Sequence, residues 1–206
     1  MKTQIAEGKD KDMLDLIKRM AYMAEYREPE AVFHRERVKA YCYILARGLR
    51  FSMSDAETYS QASLLHDIGK IGVPETILYK SSDLTDSEWE IVRRHPMIGA
   101  EILKGSTINL LQIGEVIALT HHERWDGSGY PQGLKGEDIP MSGRIFAVAD
   151  VFDALTTKRA YKPEIDVPDA IELLKNSSGV LFDPKVVEVF VQNYDEIIKA
   201  RKQNLV

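Results

Sequence analysis

The sequence predicts an all-α fold. Apolar residues recur at helical spacing almost throughout, two capping-box patterns mark helix starts, and no segment alternates with period two for long enough to demand a strand. The chain has 206 residues, 44% of them hydrophobic, ample for one globular domain with a core.

The elements follow in order. Met13, Leu14, Ile17, Ala21 and Ala24 recur at helical spacing after a mixed-charge start. Residues 1–10 read as a flexible tail or as the truncated end of an upstream region. Pro29 fits the first turn of a second helix, which carries Val38, Cys42, Leu45 and Leu49 on one side. Ser54-x-x-Glu57 reads as a capping box for a helix ending near His66-Asp67, and Thr85-x-x-Glu88 as a second box. Residues 68–73 and 77–79 read better as loops or one short helix than as strands. Further helices are expected at 96–104, 110–122, 141–157, 168–177 and 184–202, the last opened by Asp183-Pro184. Residues 123–136, ERWDGSGYPQGLKG, cannot be a helix. Their glycines suit either close backbone approach to a ligand or a cluster of surface turns. Met13, Met20, Met23 and Met53 read as core filler and Trp89 as a helix–helix anchor. Trp125 reads equally as a lid contact or as packing.

Composition narrows the function. A formal charge of -5 argues against binding a DNA or RNA polymer through a basic surface. It leaves room for a small phosphate ligand, because bound metals reverse the local sign of the field. The single cysteine, Cys42, has no internal disulfide partner and suits a buried thiol in a reducing cytoplasm. No signal peptide is visible, and the longest apolar run, 40–46, is far short of a membrane span. A soluble, cytoplasmic protein is expected.

The five histidines are His34, His66, His95, His121 and His122, accompanied by Asp67 and Asp150. Histidine and carboxylate are the ligands divalent transition metals take where no thiolate is offered. Adjacent residues on a helix point about 100° apart, so His66-Asp67 and His121-His122 converge on one centre only at helix ends. Burying such pairs there is costly unless something satisfies them. Singly, His34 and His95 read more readily as hydrogen-bonded structural residues than as ligands. Asp150 lies inside the apolar run 145–152, where a carboxylate needs a cation or strong donors. Asp153, one turn on, reads as an orienter of a ligand or as a helix-surface acid.

The order and spacing of these residues resemble the HD-GYP subgroup of HD-domain metal-dependent phosphohydrolases. The matching strings are HRERV at 34–38, LLHDIGKIGVPETIL at 64–78, HHERWDGSGYPQGLKGEDIP at 121–140, RIFAVADVFDAL at 144–155 and RAYK at 159–162. The resemblance covers most of the chain, from about residue 12 to the FDP step at 182–184. It implies an HD-domain helical bundle over 11–206, with the glycine-rich loop following the His121-His122 pair. It also implies hydrolysis of the bacterial second messenger cyclic di-GMP to pGpG and, in some members, onward to GMP. The metal ligands it carries over are His34, His66, Asp67, His95, His121, His122 and Asp150, with Asp67 as the bridge. Glu30, one turn before His34, is otherwise a first-turn acid favoured by the helix dipole. By resemblance it becomes the ligand of a third metal. Two or three divalent ions are therefore expected, iron or manganese suiting the mixed shell. A bridging water or hydroxide would attack phosphorus in line, with Lys70 contacting the phosphate or stabilising the transition state.

Substrate contacts by resemblance are Lys70, Tyr130, Arg159 and Lys162, where an arginine fork suits phosphate or a guanine edge. Two departures from the family pattern stand out, RAYK where RPYK is common and Gly143 where alanine is usual. Neither removes a ligand. An upstream regulatory domain or a GGDEF-type protein is the expected partner. The alternatives are a phosphohydrolase for another cyclic dinucleotide such as cyclic GMP-AMP, and a non-catalytic module binding cyclic di-GMP or a protein.

Overall fold

The computed structural model describes residues 2–24, 26, 31–158 and 164–203. Among them the chain is all-helical, without a strand, and its one bridge joins Ser178 to Phe182. The helices are α1 (Lys2–Ala24), α2 (Ala31–Gly48), α3 (Met53–Ala62), α4 (Glu75–Leu78), α5 (Asp86–Val92), α6 (His95–Leu103), α7 (Asn109–Thr120), α8 (Met141–Thr156), α9 (Val167–Asn176), α10 (Pro184–Gln192) and α11 (Tyr194–Gln203). Short 3-10 turns at Ser63–Leu65 and Ile68–Gly72 flank the His66-Asp67 pair. The residues read as a tail carry helical backbone from Lys2 onward.

The capping chemistry is partly as expected. Thr85 and Glu88 form the reciprocal box that opens α5. At α3 the cap is Ser52, not Ser54: its hydroxyl accepts from Asp55 N at 3.0 Å, two residues earlier than the pattern suggested. A serine-x-x-carboxylate pattern occurs in both registers here, and only one matches where the chain turns. The expected helix 184–202 is broken at Asn193, whose side-chain amide donates to Val189 O at 2.8 Å and ends α10. The break lets α10 and α11 each lay an apolar face on α2.

Two apolar clusters hold the bundle. The larger centres on α2 and α8, with Tyr41, Leu45, Phe146, Phe152, Phe190 and Ile197 buried together. The smaller joins Ile17, Leu65, Ile68, Leu103 and Ala118 beneath α1, α6 and α7. His66 follows Leu65 of the smaller cluster and lays its ring on Phe146 of the larger at 4.6 Å, so the histidines lie at the seam. Cys42 is buried, which pushes its thiol up to about 12. Met23 and Met53 are not core filler, being 67% exposed on a last and a first helical turn. Trp89 is likewise 46% exposed and anchors no core.

Gly143 now has a physical reason. A Cβ there would collide with Thr120 Oγ1, so glycine lets α8 close on the end of α7 that precedes His121. Overpacking of this kind outweighs the helix propensity gained from alanine. Gly143→Ala is expected to destabilise by about 1–2 kcal/mol. In a Thr120→Ala background the sign reverses toward a gain of up to about 1 kcal/mol, read from denaturant midpoints. Equal effects in both backgrounds would contradict the clash.

Candidate metal centre

Each central histidine sits where a helix ends, and the reason is hydrogen bonding. The last carbonyls of a helix lack an intrahelical N–H. The Nδ1–H of His66 donates to Ser63 O at 3.0 Å, that of His95 to Val92 O at 2.7 Å, and that of His121 to Ala118 O at 2.8 Å. A carbonyl can only accept, so in each ring Nδ1 carries a proton, and in His95 and His121, which burial keeps neutral, Nε2 is left with its lone pair. All three rings are buried.

Those lone pairs converge. His95 Nε2 and His121 Nε2 stand 3.0 Å apart. The ligating atoms of His95, His121 and His122 all lie within 4.8 Å of one another. Asp67 faces the same point: its Oδ1 is 3.3 Å from His95 Nε2 and 3.7 Å from His121 Nε2. Its Oδ2 turns instead to His66 Nε2 at 3.0 Å and Lys70 Nζ at 2.9 Å. One carboxylate thus addresses two groups of donors.

His34 and Asp150 complete the second side, with His34 Nε2 3.4 Å from Asp150 Oδ1 and the His34 ring 5.6 Å from that of His66. His34 is oriented from behind. Its Nδ1 donates to Asp153 Oδ2 at 2.8 Å, while Arg37 holds the same buried carboxylate through Nε at 2.6 Å and Nη2 at 3.0 Å. Asp153 is therefore an orienter and not a surface acid, fixing tautomer and ring direction as carboxylates behind metal-bound histidines do. Glu30, Arg159 and Lys162 lie outside the described residues.

Burial alone would raise the Asp67 carboxyl; the charge of Lys70 and the contacts with His66 and His95 outweigh it and hold the group well below the usual carboxylate range. Asp153 is held low in the same sense, burial being outweighed by His34 and Arg37. Burial depresses His95, His121 and His122, and neighbouring histidines depress them further, His122 to about 4. Neutral imidazoles and an ionised carboxylate are the protonation states a divalent cation needs. Two lone pairs aimed at each other across 3.0 Å repel unless a cation stands between or beside them. The donor set therefore fits the metal ions that the sequence implies.

Glycine sets the closeness. A Cβ at Gly69 would collide with the carbonyl oxygen of His95, so the turn carrying Asp67 presses on α6 only because residue 69 has no side chain.

The glycine-rich loop roofs the centre. The Tyr130-Pro131 bond is cis, and the Tyr130 ring stacks on His122 at 4.6 Å and 24°. Burial and the nearby Asp67 push the Tyr130 phenol up to about 12, so it stays protonated. Glu123, buried beside the histidine pair, accepts from Gln132 N at 2.8 Å and Leu134 N at 3.0 Å and so pins the loop. The loop is braced outside by Trp125 N to Leu181 O at 3.1 Å and Asp126 N to Val180 O at 2.9 Å. Arg144 lies over Trp125 and pairs with Asp183 at 2.8 Å, which settles Trp125 as packing.

Arg37 and Glu123 were missed as site residues, although both stand inside the quoted strings HRERV and HHERWDGSGYP. An arginine or glutamate beside a ligand reads from sequence as a solvated charge; only its burial and distant partners reveal otherwise.

The comparisons agree with this geometry. The HD domain family profile matches residues 18–186. A "3'3'-cGAMP-specific phosphodiesterase 2" of Vibrio cholerae is 44% identical over 187 residues, covering 91% of this chain and 36% of that protein. A "Cyclic di-GMP phosphodiesterase" of Thermotoga maritima is 44% identical over 185 residues, covering 90% and 50%. The chain spans half or less of the length of these relatives. A crystal structure of a cyclic GMP-AMP specific phosphodiesterase of V. cholerae superposes with TM-score 0.64 at 21% identity, over 94% of this chain and 52% of that one. It shows the shared fold.

Two outcomes are expected of the metal-free protein. The depressed histidines make no difference to stability above their ordinary value of 6.5, where both states are neutral. Below it the unfolded chain takes up protons that the folded chain refuses, so stability falls from 6.5 toward about 4. Urea midpoints should be level between about pH 7 and 8 and decline below about pH 6.5; a midpoint constant down to about pH 5 would contradict this. Asp153→Asn, which frees His34 from its anionic orienter, should weaken metal binding by roughly 10–100-fold in competition titrations. Unchanged affinity in a folded variant would remove the orienting role.

Proposed function

This chain belongs to the HD domain family, and from that premise we propose that it is of the HD-GYP subgroup, a metal-dependent phosphodiesterase opening cyclic di-GMP to pGpG or onward to GMP. The observation that carries this reading is the pair of buried imidazoles, His95 and His121, whose Nε2 lone pairs face each other beside an ionised Asp67. Relatives named as cyclic dinucleotide phosphodiesterases support the substrate class.

In this reading His95, His121 and His122 would hold metal on one side and His66, His34 and Asp150 on the other, with Asp67 shared between them. Glu30 would add a third ion beside His34. Iron or manganese suits such a shell of nitrogen and oxygen donors. The bound ions supply a water acidic enough to attack at neutral pH and offset charge developing on the phosphate. The residues of the chain do the rest. Asp67 fixes the spacing of the two groups of donors through its two oxygens. Lys70, within reach of Asp67, is placed to meet a phosphate oxygen and stabilise its growing charge. Phe146 backs the His66 and His121 rings and keeps bulk water from that side. Arg159 and Lys162 would hold the second phosphate or a guanine edge. The catalytic unit is taken as 11–206, with regulation from an upstream domain or a GGDEF-type partner. Among the described residues no helix is long and apolar enough to cross a membrane, and a cytoplasmic setting completes the proposal.

A second reading, cyclic GMP-AMP as substrate, is favoured by the cGAMP-specific relative at the same 44% identity as the cyclic di-GMP one. Turnover of both dinucleotides by anaerobically metal-loaded protein separates them, cyclic di-GMP being the expected better substrate by kcat/KM. Protein holding two or three metals that leaves both dinucleotides intact would overturn the enzymatic reading. Asp67→Ala is expected to lose both bound metal and hydrolysis; a variant retaining either would refute the bridging role.

A further inference from the structure

We propose that Arg93 is a substrate-contacting residue, the outer layer of a His122–Tyr130–Arg93 stack that offers its guanidinium to a phosphate of the bound cyclic dinucleotide. This rests on the phosphodiesterase reading above. Arg93 caps α5, two residues before His95 opens α6. That corner sends His95 inward, at 2% exposure, and leaves Arg93 at the surface. The guanidinium carbon lies 5.6 Å from the centroid of the Tyr130 ring, and that ring is stacked on His122. His122 in turn touches the His121 ring at 4.1 Å and the His95 ring at 5.0 Å. The stack therefore runs from the metal-ligand cluster to the surface.

Three other cations near the centre are engaged. Lys70 faces Asp67, Arg37 is forked on Asp153, and Arg144 pairs with Asp183. The Arg93 guanidinium has no hydrogen bond or carboxylate partner among the described residues; its one described contact is the aromatic face. An aromatic platform orients a guanidinium while leaving its N–H edges open. Those edges match two phosphate oxygens. A cyclic dinucleotide carries two anionic phosphates, and one at the reacting centre leaves the other open to a cation at the rim in addition to Arg159 and Lys162. Asp67, Asp153 and Glu123 are each satisfied within the protein, so none of them is left to pair with Arg93.

The test is steady-state kinetics on cyclic di-GMP with the metal-loaded full chain, with metal content measured for each variant. Equilibrium dialysis of cyclic di-GMP against chelated protein supplies a readout without turnover. Arg93→Gln should raise KM and the dialysis Kd about tenfold, with kcat within about twofold and metal content unchanged. Arg93→Lys, which keeps the charge but not the fork, should fall between. In a Tyr130→Leu background the same Arg93→Gln change should cost less than about threefold, because the platform is gone. An Arg93→Gln enzyme with wild-type KM and Kd overturns the proposal alone, as does one whose loss is in kcat and metal content. Wild-type protein that neither binds nor hydrolyses any cyclic dinucleotide overturns the functional reading, and this proposal with it.

Discussion

The structure around the histidines depends on one repeated interaction: an imidazole Nδ1–H donated to the carbonyl three residues earlier, at the end of a helical turn. His66 with Ser63, His95 with Val92 and His121 with Ala118 all use it. The bond uses a carbonyl at the end of a helical turn, and it also places a proton on Nδ1. Once Nδ1 is the donor, Nε2 must face away from the backbone, and in His95 and His121, which burial keeps neutral, its lone pair is free. Two of the three helical ends arranged around Asp67 therefore present a cluster of neutral acceptors with no donor between them. Such a cluster is unfavourable in an apolar seam beside Phe146 until a cation is bound.

Asp67 balances that arrangement. Its carboxylate is the one anion shared by both groups of donors, and Lys70 keeps it ionised despite burial. The packing that brings it there is backbone against backbone, through Gly69 and α6. On the other side, Arg37 and Asp153 form a buried fork that serves His34 rather than stability as such. Pairs of this kind rarely gain much over apolar packing, and here the pair fixes the direction of a ring. The loop above is held by equally specific means, with the Glu123 carboxylate on two backbone N–H groups and Tyr130 on His122.

Much of this was legible in the chain because it is local. Helix ends at His66-Asp67 and His121-His122, the Thr85 box and the loop from Glu123 all follow from short-range pattern. The all-α class followed from period alone. What escaped was set by contacts distant in sequence. Asp153 could be an orienter or a surface acid until its contact with His34, 119 residues away, was on the page. The break at Asn193 depends on two short helices wrapping α2, and the choice of Ser52 over Ser54 on where the chain turns after Phe51. Gly143 is, in the sequence, only a departure from the family pattern that removes no ligand; its reason is the contact with Thr120.

The central claim is that the buried imidazoles of His95 and His121 are neutral Nδ1–H tautomers presenting Nε2 to a common centre. Nitrogen-15 NMR of histidine-labelled, metal-free protein at about pH 7 tests it directly. The account predicts protonated Nδ1 in His66, His95 and His121 and unprotonated Nε2 in His95 and His121, with the Nε2 signals of His95, His121 and His122 moving when zinc is added. Imidazolium signals or Nε2–H tautomers in His95 or His121, or Nε2 resonances indifferent to zinc, would contradict it.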